Sequence, residues 1–335
     1  MVQSFYNISV SIPVYNTEPF LRRAIDSVLA QDFDSFEVII VNDGSKNKDE
    51  KGLDCKKIVK LAQKENKKQR KIQKQPTVQI KYIVHRKNLG LLEARRTAIE
   101  NAQGEYICNL DSDDILLPGA LKTLYAAATK ADADIVQGKT EYSNTENLSE
   151  HYLRYNNVYS GEIEENDIFD DWLVKQNHTG ILWAKLIRRE TYLKALSHIP
   201  FTRCIMYEDF LQYFFITLEA KKYTGIEDKV YRYTIDTGIS SAQKITDLAR
   251  WEQVCTASNV FTIIFSAIEQ GEVSLTFEQL EPLRLQSRSY LVSNIQKLRH
   301  NVIPELQPQS RQLLCEYWGT DFVETMEKAI EDSKK

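Results

Sequence analysis

The sequence predicts an α/β protein with a doubly wound, mostly parallel sheet flanked by helices, followed by a C-terminal helical region. Up to about residue 137, short apolar runs alternate with amphipathic segments, and strand–helix alternation of this kind is typical of parallel sheets. The segment 36–41 is apolar at nearly every position, as in strands that are buried on both faces. Polar clusters follow the predicted strands, at the edge where such sheets bind ligands.

The elements follow one another in a regular order. We predict strands over 8–12, 36–41, 79–84, 106–110 and 134–137, and helices over 19–30, 91–102 and 118–131, with a further helix after the second strand. In the first helix, apolar residues recur at helical spacing on one face. Pro19 suits the first turn of that helix, because its ring fixes a helical φ where no N–H partner is needed.

The chain becomes helical in character from about residue 245. Thr276 and Gln279 have the spacing of a capping box, Pro304 and Pro308 interrupt the helical pattern, and 322–330 reads as a terminal helix. We therefore expect an α/β domain over 1–240 and a separate helical region over 245–335.

Composition limits the classes of protein and of site. Hydrophobic residues make up 42% and charged residues 27% of the chain, and the net charge is −4, so no basic field favours nucleic acid as a partner. The five cysteines are far apart and form no Cys-x-x-Cys, which argues against a zinc site or a disulfide framework. The first residues do not resemble a signal peptide, and no apolar run is as long as a membrane span. We therefore expect a cytoplasmic protein.

The segment 46–74 differs from the rest of the chain in charge. It holds twelve Lys or Arg residues and four acids, a local charge of +8. One interpretation is a solvated helix face. The alternative is a peripheral contact with anionic lipid at the inner face of the cytoplasmic membrane, or with a charged acceptor.

Three carboxylates follow the strand predicted at 106–110. Asp111, Asp113 and Asp114 lie within four residues, and clustered carboxylates cost free energy unless a cation lies between them. Hard oxygen ligands suit Mg²⁺ or Mn²⁺ rather than zinc. Taken alone, this run is also explained by a solvated Asp-rich turn. The sequence contains no glycine-rich dinucleotide or phosphate loop, so a bound nucleotide would depend on side chains and a metal.

Six motifs, found in order and at ordinary spacing, resemble glycosyltransferase family 2 with its GT-A fold. They are 11–16 with the following helix to 31, 37–45, 88–95, 104–114, 183–186, and Glu208-Asp209 at the start of an apolar helix. Each is weak alone, but the ordered set is specific. The resemblance covers roughly residues 5–240 and implies a nucleotide-binding half over about 1–115 and an acceptor-binding half over 116–240.

The resemblance implies a nucleotide donor site in the first half. The segment that lines the nucleoside pocket matches Pro13, Val14, Tyr15 and Asn16. Asp43 matches the carboxylate that accepts the N3 proton of uracil, which favours a UDP-sugar donor. Arg95 matches a basic residue close to the diphosphate or base, although its neighbour is Arg96 where the family usually has Asn.

The Asp-x-Asp motif of the family matches Asp111 and Asp113. The resemblance implies that Asp111, with Ser112 beside it, contacts the ribose or the sugar, and that Asp113 binds Mn²⁺ or Mg²⁺ on the diphosphate. A metal there stabilises the leaving diphosphate in place of a protonated acid. No histidine lies between His198 and His300, so we expect no downstream histidine ligand.

Asp209 matches the catalytic base of the family. An acceptor hydroxyl must lose a proton as it attacks the anomeric carbon, and a single displacement inverts that carbon. Glu208 would act beside it, either in support of the base or in contact with the acceptor. Taken alone, this acidic pair is explained by charge at a helix start. A glycoside hydrolase would instead need two opposed carboxylates.

The acceptor side is less well defined. Trp183 and Lys185 are candidates for its floor, since sugars stack on aromatic rings, but plain packing explains them equally well. His178 is a candidate contact to acceptor or metal, although a lone histidine is more often structural. The segment 231–241 resembles the family's loop that closes over the donor.

The sequence thus predicts a metal-dependent, inverting glycosyltransferase. It would use a UDP-sugar and a glycan or lipid-linked saccharide acceptor in the synthesis of cell-surface polysaccharide, and its C-terminal helices would mediate self-association or acceptor binding. A sugar-nucleotide-forming nucleotidyltransferase is an alternative, but it would normally carry a glycine-rich N-terminal loop. The other alternative is a non-catalytic binding protein of the same fold, against which Asp111, Asp113 and Asp209 count.

Overall fold

The computed structural model describes residues 5–144, 156–235 and 244–333. The chain divides into two compact units, of which the first comprises Met1–His198 and Gln212–Gly238 and the second comprises Ile199–Leu211 and Ile239–Lys335. Residues 199–211 lie within the α/β domain expected from the sequence. In the structure they belong to the same unit as the C-terminal helices.

A nine-stranded sheet forms the centre of the first unit. Its strands are β1 (Tyr6–Val14), β2 (Phe36–Asn42), β3 (Gln79–Val84), β4 (Gly104–Asn109), β5 (Ile115–Leu116), β6 (Ile135–Tyr142), β7 (Gly161–Glu164), β8 (Lys185–Arg188) and β9 (Lys222–Tyr233). The strand order is β3-β2-β1-β4-β8-β6-β9-β5, and β7 pairs with β9. All five strands predicted from the sequence are present, with ends that differ by a few residues.

The strands β3, β2, β1 and β4 form a parallel half-sheet. Val10 on β1 is in register with Val38 on β2 and with Cys108 on β4. Every residue of β2 is buried, which explains its continuous apolar pattern, because helices cover both faces of such a sheet.

The other half of the sheet is mixed. Strand β8 pairs antiparallel with β4 and β6, and β5 and β7 pair antiparallel with β9, whereas β6 and β9 are parallel. The parallel arrangement that the sequence predicts therefore holds up to residue 109. Beyond it, segments that are distant in sequence pair in both directions.

The helices that belong wholly to the first unit are α1 (Glu18–Leu29), α2 (Cys55–Gln73), α3 (Leu91–Glu100), α4 (Ala120–Ala131), α5 (Asn166–Leu173) and α6 (Arg189–Ser197). Helix α1 has Pro19 in its first turn. It buries Leu21, Ala24, Ile25 and Val28 in one core with the apolar residues of β1 and β2. Helix α7 (Glu208–Glu219) begins in the second unit and ends in the first.

The second unit is helical, as predicted for the C-terminal region. It contains α8 (Leu248–Cys255), α9 (Ala257–Glu269), α10 (Phe277–His300), a 3₁₀ turn (Pro304–Leu306), α11 (Gln307–Trp318) and α12 (Thr320–Asp332). Its core includes Trp251, Leu291 and Leu314. Thr276 and Gln279 form the predicted capping box at the start of α10. No helix in the described ranges is long and apolar enough to cross a membrane.

Candidate active site

The carboxyl ends of the parallel half-sheet bring the predicted donor-site segments to one edge. Val14 is paired with Asn42, and Asn42 with Val84, at the ends of β1, β2 and β3. Strand β4 ends beside β1, where Asn109 pairs with Ser11. The residues that follow these strands therefore emerge at the same edge of the sheet, as expected for a ligand site in a parallel sheet.

Asp43 is a buried carboxylate that organises the loop after β3. Its Oδ1 lies 2.7 Å from Nδ1 of His85 and accepts the N–H of Leu89 at 2.8 Å. Its Oδ2 accepts the side-chain amide of Asn88 and the N–H of Gly90, both at 2.9 Å. A carboxylate has about four acceptor positions, so these four contacts use the capacity of Asp43. A uracil N3–H would have to share an oxygen with one of them or displace it.

Gly44 allows this loop to approach Asp43. Its φ is +74°, and a Cβ there would lie 2.6 Å from the carbonyl carbon of Lys87. The Gly in Asn42-Asp43-Gly44-Ser45 is therefore required by both the left-handed backbone and the close approach of a neighbouring chain segment.

The four residues that match the nucleoside-pocket segment differ in burial. Pro13 and Val14 are buried within β1, whereas Tyr15 is half-buried and Asn16 is exposed. Asn16 has a φ of +59°, and its N–H donates to Oγ of Ser45 at 2.8 Å. The Ser45 hydroxyl in turn donates to the carboxylate of buried Glu18. Tyr15 and Asn16 are therefore the members of this segment whose side chains reach the surface.

Arg95 and Asp111 form an ion pair across the site. Nη2 of Arg95, on α3, lies 2.9 Å from Oδ1 of Asp111, at the end of β4. The Arg95 side chain is 2% exposed and that of Asp111 is 25% exposed. Asp111 is therefore accessible to a ligand while its orientation is held from the buried side.

The loop after Asp111 is anchored from three sides. The Ser112 hydroxyl lies 2.6 Å from the hydroxyl of Thr17, and the carbonyl of Asp113 accepts Nη2 of Arg23 at 2.6 Å. The third anchor is Asp114, whose carboxylate accepts the hydroxyl of Tyr231 at 2.7 Å. Ser112 is buried and Asp113 is half-buried, so the contact of Ser112 in this structure is with Thr17.

Asp114 has a strongly raised pKa. Burial, followed by the negative charges of Asp113 and Asp111, raises the pKa of its carboxyl to about 8. The Tyr231 hydroxyl that donates to it also accepts the N–H of Asp111 at 3.2 Å. The three aspartates therefore repel one another, and a positive charge near Asp111 and Asp113 would relieve that repulsion.

The residues proposed for the acceptor floor are buried in the first unit. The Trp183 ring is 5% exposed and stacks on Tyr231, with centroids 5.0 Å apart. Lys185 is fully buried, and its Nζ donates to the carbonyls of Thr179 and Ile181 at 2.8 and 2.6 Å. Neither side chain presents a surface to a ligand in this structure, and the contacts of Lys185 close the 179–184 turn.

His178 is a core residue in this structure. Its side chain is fully buried, and Nδ1 lies 2.8 Å from Oδ2 of Asp171. Its ring stacks on Tyr223 with centroids 4.4 Å apart. Burial lowers the pKa of the imidazole to about 4. The structural explanation of this histidine is therefore favoured over a contact with acceptor or metal.

Glu208 and Asp209 form the first turn of α7 and belong to the second unit. Glu208 is buried and Asp209 is half-buried. Tyr207, just before them, has a φ of +65°. A left-handed backbone at a bulky residue stores strain, and such strain clusters at functional sites. The prediction of a loop over 231–241 is wrong at its start, because residues 231–233 form the end of β9, paired with β5 and β6. Residues 236–241 lie outside the described residues.

Several residues at the site had no individual role assigned from the sequence. They are Glu18, His85, Asn88, Asp114 and Tyr231. Asp114 was visible as the third carboxylate of its run, and 85–90 was visible as a polar segment after a predicted strand. Nothing in the local sequence indicates that Tyr231, 117 positions away, donates to Asp114. The described residues contain no cluster of three or more His, Cys, Asp or Glu side chains placed to hold a metal.

Comparison with known proteins supports one family. Residues 9–195 match the model of glycosyl transferase family 2. Glycosyltransferase GlyG of Streptococcus pneumoniae serotype 4 is 27% identical over 237 residues, which cover 69% of this chain and 71% of GlyG. GlyA of the same organism is 28% identical over 190 residues, or 55% of this chain, but this chain spans about a quarter (25%) of the length of GlyA.

Solved structures share the fold over nearly the whole chain. The structure of Staphylococcus aureus TarS 1–349 in complex with UDP-GlcNAc matches with a TM-score of 0.55 at 17% identity. The match covers 97% of this chain and 92% of the TarS chain. Mannosyltransferase PcManGT from Pyrobaculum calidifontis, in complex with GDP-Man and Mn²⁺, has a TM-score of 0.53 at 12% identity, covering 98% and 81%. These likenesses confirm the expected GT-A fold. Because the family model spans more than half of the chain, this protein is a glycosyltransferase that belongs to glycosyl transferase family 2.

Proposed function

We propose that this protein transfers a sugar from a UDP-sugar to a hydroxyl of a glycan or lipid-linked saccharide, with inversion at the anomeric carbon, in the synthesis of cell-surface polysaccharide. The observation that carries the proposal is the pairing of Arg95 with Asp111 at the same sheet edge as Asp43. The TarS structure in complex with UDP-GlcNAc favours a uridine donor. This donor site is the natural place for a nucleoside diphosphate, because parallel sheets bind ligands at this edge.

We propose that Asp113 binds a divalent metal, Mn²⁺ or Mg²⁺, with Asp111 near it. The donor set fits: both side chains supply hard carboxylate oxygens, and burial together with the negative charges of Asp113 and Asp111 raises the pKa of the neighbouring Asp114 to about 8. Mg²⁺ is commonly held by one or two carboxylates together with substrate phosphates, so a site without a third acidic ligand suits it. When bound, the metal would neutralise the charge that develops on the leaving diphosphate.

We propose that Asp209 is the base that removes the proton of the acceptor hydroxyl. Its support is the position of Glu208-Asp209 in the family motif order and the strained turn at Tyr207. Glu208, which is buried, would act beside it. Asp43, with its four donors, would hold the loop 85–90 against the donor base and share one oxygen with it.

Donor binding tests this proposal directly. Thermal unfolding is measured with UDP, GDP and CMP, each with Mn²⁺ or with EDTA. A ligand at 100 times its Kd adds about 2.7 kcal/mol to stability, so we expect UDP to raise the melting temperature and to require the metal. A response to GDP in place of UDP would reject the uridine assignment, and no response to any nucleotide would reject the site.

We also propose that α2 makes a peripheral membrane contact. Its outer face carries seven exposed lysines, Lys56, Lys57, Lys60, Lys64, Lys67, Lys68 and Lys71. The helix has a single acid, Glu65, which pairs with Arg22. Within the described residues none of the seven lysines forms an ion pair. Two apolar side chains, Leu61 and Ile72, are exposed beside them, Ile72 by 72%. This combination favours an anionic lipid surface, where each lysine contributes about 1 kcal/mol.

Vesicle sedimentation distinguishes a contact through α2 from a general effect of the protein's positive charges. We expect binding to vesicles that contain phosphatidylglycerol and none to phosphatidylcholine vesicles, and we expect substitution of Lys60, Lys64, Lys67 and Lys71 by Gln to abolish it. The matched control changes four exposed lysines elsewhere, Lys130, Lys194, Lys229 and Lys328. Equal loss in both variants, or unchanged binding of the first, would reject α2 as the contact.

We further propose that the C-terminal helices mediate self-association. Helix α10 exposes Phe277 by 72% and Leu285 by 56%, so both apolar side chains are available for contact with a second copy. Sedimentation of the full chain and of the Phe277→Ser/Leu285→Ser variant tests this. Truncation near Ile245 is a poorer test, because residues 199–211 belong to the same unit: the N–H of Ile205 donates to Oγ1 of Thr256.

A further inference from the structure

The second unit contains a cavity of about 320 Å³ that the family motifs do not involve. It is lined by aromatic rings, among them Phe261, Phe265 and Trp318, and by the polar side chains of Ser258, Arg284 and Arg288. This volume lies at the lower end of the range for ligand sites, and an apolar wall with a few polar groups is typical of them.

Residues of four helices line the cavity: α9 and α10, with Trp318 on α11 and Phe322 on α12. On α9, Ser258, Phe261 and Phe265 follow one another at intervals of three and four residues, so they share one face of the helix. On α10, Arg284 and Arg288 are four residues apart and also share a face. Helix α9 therefore contributes aromatic rings and a hydroxyl to the cavity lining, and α10 contributes two guanidinium groups.

Two polar atoms at the cavity have unused hydrogen-bonding capacity. The Ser258 side chain is 97% buried, with a relative exposure of 3%, and its Oγ has no hydrogen-bond partner among the described residues. The indole Nε1 of Trp318 is likewise buried and without a hydrogen-bond partner in the ranges described. Since buried polar groups are nearly always hydrogen-bonded, two such atoms on residues that line one cavity favour a bound ligand as their partner.

The charge of the cavity is positive. Arg288 forms no ion pair within the described residues, and it is exposed. Arg284 pairs with Glu281 at 2.8 Å, but both side chains are more than a third exposed, and surface pairs of this kind contribute little. The guanidinium fork matches phosphate geometry closely, so phosphate is the anion that these arginines suit best.

Aromatic contacts connect the cavity wall to the turn of the proposed base. The ring of Phe261 lies 5.9 Å from the ring of Tyr207, centroid to centroid, and Tyr207 stacks on Phe210 at 4.7 Å. Tyr207 and Phe210 flank Glu208-Asp209 in sequence. A ligand in the cavity therefore contacts the side chain that packs against this turn, within the same unit.

We propose that this cavity is an acceptor subsite for a saccharide or polyol that carries phosphate, an assignment that rests on the proposed transferase function. The arginines bind the phosphate, and the aromatic rings bind the apolar face of the sugar. The phosphate belongs either to a lipid-diphosphate anchor or to a phosphodiester backbone, and both present the same chemistry to the cavity.

Fluorine NMR of the full chain labelled with 5-fluorotryptophan tests binding without any transfer reaction. The chain has four tryptophans, and Trp318→Phe identifies the resonance of Trp318. We expect millimolar glucose 1-phosphate to shift that resonance and glucose to leave it unchanged. Trp251 is an internal control, because it is fully buried in the same unit and donates to the carbonyl of Ser310.

Two matched variants test whether the arginines of the cavity bind the phosphate group of glucose 1-phosphate. We expect Arg288→Gln to weaken glucose 1-phosphate binding at least about tenfold, since a charge-assisted hydrogen bond is lost. Lys328→Gln removes one exposed charge from α12 and should leave the affinity unchanged. No shift of the Trp318 resonance by glucose 1-phosphate, or equal weakening in both variants, overturns the proposal.

The titrations contain no nucleotide and no metal, so a failure of the donor site does not affect them. Calorimetry with UDP and Mn²⁺ measures that site separately, and Arg288→Gln should leave it unchanged. Two further probes distinguish the sources of phosphate. Stronger binding of a short-chain prenyl-diphosphate saccharide indicates a lipid-linked acceptor, and stronger binding of glycerophosphoglycerol indicates a phosphodiester polymer.

Discussion

Arg95 donates from Nη2 to Oδ1 of Asp111 over 2.9 Å, and this pair joins helix α3 to the end of β4. Arg95 is almost fully buried, so its guanidinium has lost its contacts with water. Protein groups must replace those contacts to keep the charged form stable. Asp111 is a quarter exposed and keeps a surface for a ligand. The pair therefore fixes the position of a carboxylate that is still partly exposed to solvent.

Loss of Asp111 should cost stability as well as donor binding. In Asp111→Ala the buried guanidinium keeps its charge without this partner, so we expect a loss of about 2 kcal/mol, below the 3–5 typical of fully buried pairs. Urea unfolding measures the change. In a cycle with Arg95→Met, we expect a coupling energy of about 1 kcal/mol. Additive effects would mean that the two residues act independently.

Asp43→Asn should loosen the loop 85–90. The new amide nitrogen would face N–H donors, where the carboxylate oxygen now accepts them, so we expect a loss of roughly 1–3 kcal/mol. Hydrogen exchange should show faster exchange of the amides of Leu89 and Gly90, with the amides of β6 as the internal reference. Unchanged protection at these two amides would contradict the role of Asp43 as the organiser of this loop.

His178 should make stability depend on pH. Burial lowers its folded pKa to about 4, against about 6.5 in the unfolded chain. Between these values the unfolded chain binds a proton that the folded protein does not, so stability falls as the pH falls from 6.5 toward 4, by roughly 3 kcal/mol in all. Asp171 has a lowered pKa, so its own contribution is lost at lower pH.

Thermal unfolding of His178→Asn across this pH range checks the prediction. The variant should lose less stability on acidification than the parent, and the matched variant of exposed His300, His300→Asn, should behave as the parent does. A parent-like slope in His178→Asn would show that another group causes the pH dependence.

Asp113→Asn tests the metal assignment. We expect the variant to fold normally, because asparagine has nearly the size and shape of aspartate and the contact of the main-chain carbonyl at this position with Arg23 is retained. Its stabilisation by UDP should no longer increase with Mn²⁺, since a neutral amide is a poorer ligand for a hard cation. Calorimetry with UDP in Mn²⁺ or EDTA gives the comparison, and a retained metal effect would place the metal elsewhere.

Asp209→Asn tests the base. Removal of a general base typically lowers the rate by about 10²–10⁴-fold, whereas binding of UDP with metal should be unchanged. Transfer is followed by release of UDP. Near-normal turnover would refute the assignment, and weakened UDP binding would show that Asp209 belongs to the donor site instead.

The local sequence pattern was sufficient to predict the strands and helices of the parallel half-sheet. The alternation of apolar runs, Pro19 at a helix start and the capping box at Thr276 depend on neighbours a few residues apart, and the structure has each of them. The polar segments after the strands were also visible, because a parallel sheet brings strand ends together whatever its other details.

The limits of that prediction lie in distant contacts. The strand predicted at 134–137 extends to Tyr142 because it pairs with β9, about 90 positions later. Residues 199–211 belong to the C-terminal unit because of partners such as Thr256, which lies 51 positions after Ile205. Neither relationship leaves a periodic signal in the segment itself.

The sequence by itself determined the family, the α/β order and the acidic residues at the sheet edge, because these follow from residue types at short, regular spacing. Only the tertiary structure decided that Asp43 is occupied by four donors, that Arg95 holds Asp111, and that Lys185 and His178 are buried. Burial and hydrogen-bond partners are properties of side chains brought together from distant parts of the chain. The motif residues were therefore identified first, and their environments distinguished the partly exposed ones, such as Asp111, from those that are buried within the fold.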